Sequence, residues 1–301
     1  MWLRKSSPID RAKVAVLVVT SCATWSANAQ GEPSDDPHGP TAEVSAPRPT
    51  GLSLLSTSGV ILRSRSESTL VQSLGISYAA SDTVSLSLRF GAVHHSGEEQ
   101  PTGTGVGNLV LGATVTKPVG DKVSLNAGFS TTIPTNAIGS GPMAEDRFAA
   151  EISATDWFGT MFLPNYFDVT PGVGLSLAVA RLTAHLQVDV HQLIRARAEK
   201  VNVYDAGATG LAPDLSLSYV VLPRLSLFAH YTEFRMLTTP RFIEADPSWR
   251  VEQFVSAGAS LDIDVGGART LTGTLTYATP IDGPLRSQGY QAVELDIALT
   301  L

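Results

Sequence analysis

The sequence predicts an all-β fold: a single transmembrane antiparallel β-barrel of about twelve strands, with short periplasmic turns and long extracellular loops. Three observations carry this. Apolar and polar residues alternate with a period of two over unusually long segments. Short and long links between those segments alternate strictly. The 301 residues are only 16% charged, with 26 Gly and one Cys, and no run approaches the ~18 consecutive apolar residues of a transmembrane helix. The acidic balance, net charge −7, also argues against nucleic acid as a partner, because phosphate backbones attract basic faces.

The chain divides into three parts: a signal peptide (1–29), a disordered periplasmic linker (30–50) and the barrel (51–301). Arg4, Lys5, Arg11 and Lys13 form a positive region before the apolar stretch Val14–Val19. Ala27-Asn28-Ala29 then supplies the small-x-small pattern of a cleavage site after Ala29. The rival reading is a lipobox, Val19-Thr20-Ser21-Cys22, with Cys22 lipidated. Cleavage after Ala29 removes four cations and Asp10, which moves the net charge to −10, and it removes the only Cys. The mature chain therefore has no disulfide to stabilise it and must bury apolar surface against protein or lipid. The linker is rich in Pro, Asp and Ser and shows no periodicity.

From Gly51 onward the alternation marks strands at 51–63, 68–80, 83–94, 105–117, 122–134, 167–179, 182–195, 207–220, 224–237, 250–263, 269–280 and 290–301. In the third, Val84, Leu86, Leu88, Phe90 and Ala92 share one face, against Ser85, Ser87, Arg89 and Gly91. In the last, Val293, Leu295, Ile297, Leu299 and Leu301 oppose Glu294, Asp296, Ala298 and Thr300. Crossing a bilayer takes about 9–11 tilted residues, whereas soluble strands average about five or six. The turn between the first two strands, Arg63-Ser64-Arg65-Ser66, is weak, which leaves ten or fourteen strands open as alternatives.

A soluble sandwich would turn the same apolar face inward. The connections favour the barrel. Short links such as Ser81-Asp82, Ala180-Arg181 and Leu222-Pro223-Arg224 alternate with long ones at about 95–104, 134–166, 196–206, 237–249 and 281–289. Tyr219, Tyr231 and Tyr277 fall on apolar faces near strand ends, where amphipathic rings prefer the headgroup region. The alternating final strand is the kind of segment that barrel-assembly machinery handles, although it ends in Leu301 rather than Phe.

The run Gly105-Val106-Gly107-Asn108-Leu109-Val110-Leu111-Gly112 resembles the GxGDxxLG strand start of outer-membrane proteins grouped with phenol meta-cleavage pathways, the MetA-like transporter family. One strand later, Ile133-Pro134-Thr135-Asn136 resembles that family's xPTG strand end. Asn108 stands where the motif has Asp, and Asn136 where it has Gly. The resemblance implies a barrel admitting small hydrophobic or aromatic compounds.

Taking alternate residues as inward-facing gives the lumen-lining candidates Arg89, His185, Gln187, Asp189, His191, Asp214, His230 and Glu252, followed by Asp262, Asp264, Glu294 and Asp296. Acidic groups dominate, which suits a water-filled path for cations or neutral solutes. Equally, such charges can pair with arginines and water to hold a narrow barrel closed. His185, Asp189 and His191 share one strand face at steps of about 7 Å, too spread for a metal site without ligands from neighbouring strands. They read as a polar row, and no metal or cofactor is expected.

His94 and Ser96 share the lipid-facing side of the third strand and suggest a hydrolase pair. No orienting Asn or Asp is evident beside them, so they read as polar residues at a strand–loop junction. The longest loop carries the one segment with helical spacing, 143–161, which could equally be a further strand pair. Phe148, Trp157, Phe162 and Tyr166 are its gate candidates, placed to narrow the mouth or contact an aromatic solute. The expected role is passive uptake of small solutes, hydrophobic or aromatic ones among them, with no enzyme chemistry and with outer-membrane lipid around the wall. The alternative is a structural or surface barrel without transport, or an outer-membrane lipid hydrolase.

Overall fold

The computed structural model describes residues 51–63, 67–97, 102–135, 150, 151, 154, 159–196, 207–266 and 269–301. The expected signal peptide and linker, Cys22 included, lie outside the described residues, as do Phe148 and Trp157.

Thirteen strand segments are seen among the described residues: β1 (Leu52–Arg63), β2 (Glu67–Ala79), β3 (Val84–Ser96), β4 (Gly103–Val106), β5 (Leu109–Pro118), β6 (Val123–Ile133), β7 (Tyr166–Val179), β8 (Leu182–Arg195), β9 (Gly207–Leu222), β10 (Leu225–Met236), β11 (Val251–Gly266), β12 (Arg269–Pro280) and β13 (Tyr290–Thr300). Both β4 and β5 pair with β3, at residues 92–95 and 84–89 respectively. They are two halves of one spanning strand, broken at Gly107-Asn108. The wall therefore has twelve strands, and β1–β2 pair in continuous register from Leu52↔Tyr78 to Arg63↔Glu67. This removes the ten- and fourteen-strand alternatives.

Every strand is antiparallel to its neighbours, and β1 pairs with β13 from Ser53↔Thr300 to Arg63↔Tyr290. The sheet thus closes on itself, and no run of unpaired amides is left at an open edge in hydrocarbon. Turns at one end are short. Val179↔Leu182 is closed by Ala180-Arg181, with Ala180 in the left-handed region at φ 51°.

The alternation has its physical origin in the pleat, which sends successive side chains to opposite faces. Outward positions form an exposed apolar belt: Leu74, Val173 and Leu275 are 56–63% exposed. In water such a continuous apolar surface would be strongly unfavourable, whereas against acyl chains it costs nothing.

The interior is layered along the barrel axis, and this differs from the uniformly polar lumen that alternation suggests. Toward the turn end, inward positions are Ser, Thr and Gly, such as Ser87, Thr114, Ser218 and Thr274, reached by solvent. Toward the loop end they become apolar and buried: Ile61, Val71, Val93, Leu193, Phe234 and Tyr290. Loop segments descend to complete this apolar layer. Ile243 on the short helix Arg241–Ala245, Trp249 on the turn Pro247–Arg250, and Leu285 on the helix Gly283–Ser287 are all buried. Alternation hides this layer because its residues adjoin outward apolar ones, as in Val60-Ile61-Leu62 and Leu193-Ile194.

Candidate functional site

The site is built where the longest loop enters the barrel. Residues Gly159–Phe162 form a 3₁₀ turn lying against the inner wall of β3, β5 and β6. Met161, Phe162 and Leu163 are buried there. The wall makes room by lacking side chains. A Cβ on Gly91 would sit 2.9 Å from Phe162 Cζ and 3.1 Å from Met161 Sδ. One on Gly107 would sit 3.1 Å from Phe162 Cε1.

The break between β4 and β5 holds the turn. With the β3 ladder interrupted, Gly107 N–H donates to Gly91 O (2.7 Å), and Asn108 N–H is released to donate to Met161 O (2.5 Å). The Asn108 side-chain amide donates to Leu163 O (2.7 Å) and Thr160 O (3.2 Å). Thr135 Oγ1 donates to Gly107 O (3.2 Å) and braces the break from the end of the next strand. The quoted motif residues Gly105, Gly107, Asn108 and Thr135 are thereby explained. Three of them secure the inward turn, and Gly105 lies beneath the buried Glu151 of the same loop. Of the alternatives for 143–161, the helical one describes Ala150, Glu151 and Ala154, which lie in helical conformation; a further strand pair does not form among the described residues.

Below the turn lies a buried polar network. Asp168 Oδ2 accepts from Thr160 Oγ1 (2.8 Å) and Thr170 Oγ1 (2.9 Å) and contacts His191 Nδ1 (2.9 Å). Thr132 Oγ1 meets Thr160 Oγ1 at 3.1 Å. The His191 ring stands edge-on to Phe234 at 5.9 Å. The second carboxylate oxygen, Asp168 Oδ1, and His191 Nε2 are buried without a hydrogen-bond partner among the described residues.

Further down the same wall, Gln187 donates to Asp189 Oδ1 (2.7 Å), and Ser176 Oγ meets His185 Nδ1 (2.8 Å). His230 Nε2 pairs with Asp214 Oδ2, which also accepts from Thr232 Oγ1 (2.9 Å). Gly172 and Gly174 on β7 carry no side chain, and Asp189, Gln187 and His185 occupy the space their Cβ atoms would need. These long side chains therefore lie flat across the neighbouring strand rather than standing up into the bore.

The remaining candidates spread around the circumference. Arg89 lies over Gly75 and donates to Ser73 Oγ (3.3 Å). Glu252 is buried beneath Gly283 at the loop end. Asp296 accepts from Thr57 Oγ1 (2.5 Å), and Asp262 from Thr272 Oγ1 (2.6 Å). Phe162 and Tyr166 are both buried at the loop end. Sequence reasoning missed Asn108, Asp168 and Thr160 as a unit, since hydrogen bonds between an irregular loop and a distant strand leave no periodic trace.

On the outer face, His94 Nδ1 meets Thr104 Oγ1 at 2.9 Å, and no hydrogen bond joins His94 to Ser96 among the described residues. Among the described residues no group of three or more His, Cys, Asp or Glu is placed to hold a metal ion.

No family model matches the chain, and no curated protein matches it. Among solved structures it is similar to an outer membrane channel from Pseudomonas putida F1, at 14% identity and TM-score 0.57, over 85% of this chain and 97% of that one. It is also similar to the beta domain of the Bordetella autotransporter BrkA, at 14% identity and TM-score 0.49, over 84% of this chain and 99% of that one. At 14% identity the likeness to the channel is one of fold. Together with the closed sheet and its apolar belt, it makes this chain a twelve-stranded β-barrel of the outer-membrane type.

Proposed function

We propose that the barrel is a channel for passive movement of small solutes across the outer membrane, with the Gly159–Phe162 turn as its plug. The observation that carries this reading is the turn's mode of attachment. It is held by side-chain hydrogen bonds from Asn108, by the bonds of Thr160 to Asp168 and Thr132, and by apolar contact with a glycine-lined notch, while the β3–β5 and β5–β6 ladders pair strand to strand beside it. An element that can leave without opening the ladder is suited to gating.

The two layers of the interior suggest the solute. The loop-side layer contains the buried rings of Tyr166, Phe234 and Tyr290, and the turn-side layer offers hydroxyls. A small molecule with an apolar or aromatic part fits the first, and water-filled passage through the second completes the path. Purified protein in planar bilayers and in liposome-swelling assays tests the reading. Discrete conductance and swelling with small solutes are expected. A barrel that stays electrically silent and excludes every solute, even with the plug loosened by Asn108→Asp, sinks it.

A further inference from the structure

The channel reading leaves open which charge of solute passes, and here the β7–β9 wall is specific. Asp168, Asp189 and Asp214 stand one on each of three adjacent strands at successive depths. Asp189 is in register with Gly172, two inward positions below Asp168, and Asp214 is in register with Gln187, one position below Asp189. The three carboxylates therefore descend as a ladder from the apolar layer into the polar one.

Two independent observations point to a ligand along this ladder. The Asp168 side chain is 3% exposed, its Oδ2 accepts from Thr160 and Thr170 and contacts His191 Nδ1, and its Oδ1 has no partner among the described residues. On the next strand the buried Gln187 Oε1 also has no partner among the described residues. Buried acceptors left open in a native fold call for a donor, and a bound solute can supply one. Positive charge on the inner wall is also scarce among the described residues. Arg63 and Arg195 lie at the loop rim, Arg63 bridging to Glu67 at 3.4 Å, so that among the described residues Arg89 is the one arginine further down the inner wall. Asp168, Asp189 and Asp214 outnumber it on the β7–β9 wall.

Resting on the channel reading, we propose that the solutes are small organic cations: an ammonium group passes from Asp168 to Asp189 to Asp214 while its apolar part occupies the layer around Tyr166 and Phe234. An amine supplies the N–H donors that the open acceptors lack. A carboxylate-bearing solute would meet like charge at each step, in a low-dielectric tube where that repulsion is poorly screened.

The test uses the full-length protein in planar bilayers and proteoliposomes. In a potassium chloride gradient the reversal potential should give a cation-over-anion permeability ratio of at least about five-fold. Benzylammonium should enter proteoliposomes faster than benzoate by a similar factor. Asp189→Asn and Asp214→Asn, which keep shape and remove charge, should each lower both ratios about two-fold, and together bring them near unity. Asp168→Asn supplies a further arm, read only in samples that retain the folded barrel. Equal passage of benzylammonium and benzoate, or ratios unchanged in the double variant, overturns the proposal and leaves the channel intact. Silence toward every ion and solute in wild type and in Asn108→Asp overturns the channel reading itself.

Discussion

Asn108 donates its side-chain amide to the carbonyl of Leu163 at 2.7 Å, tying a strand break to a loop fifty-five residues away. The same amide reaches Thr160 O. Replacing it with Asp puts a carboxylate against two carbonyl oxygens where two donors stood. Loss of those bonds and burial of an unmatched acceptor cost about 1–3 kcal/mol, spent on the plug and not on the ladder. Asn108→Asp should raise open probability in bilayer recordings by roughly ten-fold or more, with the folded barrel intact. Recordings indistinguishable from wild type would show that Asn108 does not hold the turn.

Gly172 makes room for two side chains of the neighbouring strand. Its missing side chain is where Asp189 Oδ1 and Gln187 Nε2 lie. Gly172→Val should force both side chains up into the lumen and reduce conductance, while the β-branched residue suits strand geometry and spares stability. Gly273 faces outward with nothing within 4 Å of its Cβ position, so Gly273→Val should leave conductance unchanged. Equal conductance in the two variants would refute the idea that inward glycines keep the bore clear.

The lipid-facing belt predicts a depth-dependent penalty. Leu295 lies near the middle of β13 and is 44% exposed. Leu295→Arg should destabilise the barrel by about 2–4 kcal/mol, because a guanidinium at the bilayer midplane is poorly solvated. Val119, exposed at a short turn, should accept Arg at a cost of about 0–1 kcal/mol. Guanidinium titrations in lipid vesicles measure both, and equal penalties would place the belt outside the membrane.

The closing seam carries its own bond. Thr57 on β1 donates to Asp296 on β13 at 2.5 Å, and both are buried. Thr57→Val keeps the shape and leaves a buried carboxylate without its donor, which should cost about 1–3 kcal/mol in the same titration. Ser53, which meets Thr300 at 3.3 Å on the exposed end of the same seam, should tolerate Ala with a change under about 0.5 kcal/mol.

Much of this barrel is legible along the chain. Runs such as Val84–Phe90 and Val293–Leu299 reveal their strands because the pleat imposes a period of two, and lipid on one side keeps that period clean. The short turns and the inward placement of Arg89, Asp189 and Asp214 follow from it, whereas the count of twelve strands is decided by the β1–β2 pairing. What the chain by itself does not reveal is each feature that depends on a contact distant in sequence. The Asn108–Leu163 tie, the descent of Phe162 onto Gly91, and the apolar layer around Ile61 and Phe234 arise only when the sheet has closed and a loop has turned back into it. Local chemistry dictates a wall of alternating faces. Closure alone decides which inward residues meet, and therefore where the barrel is plugged and where its carboxylates line up.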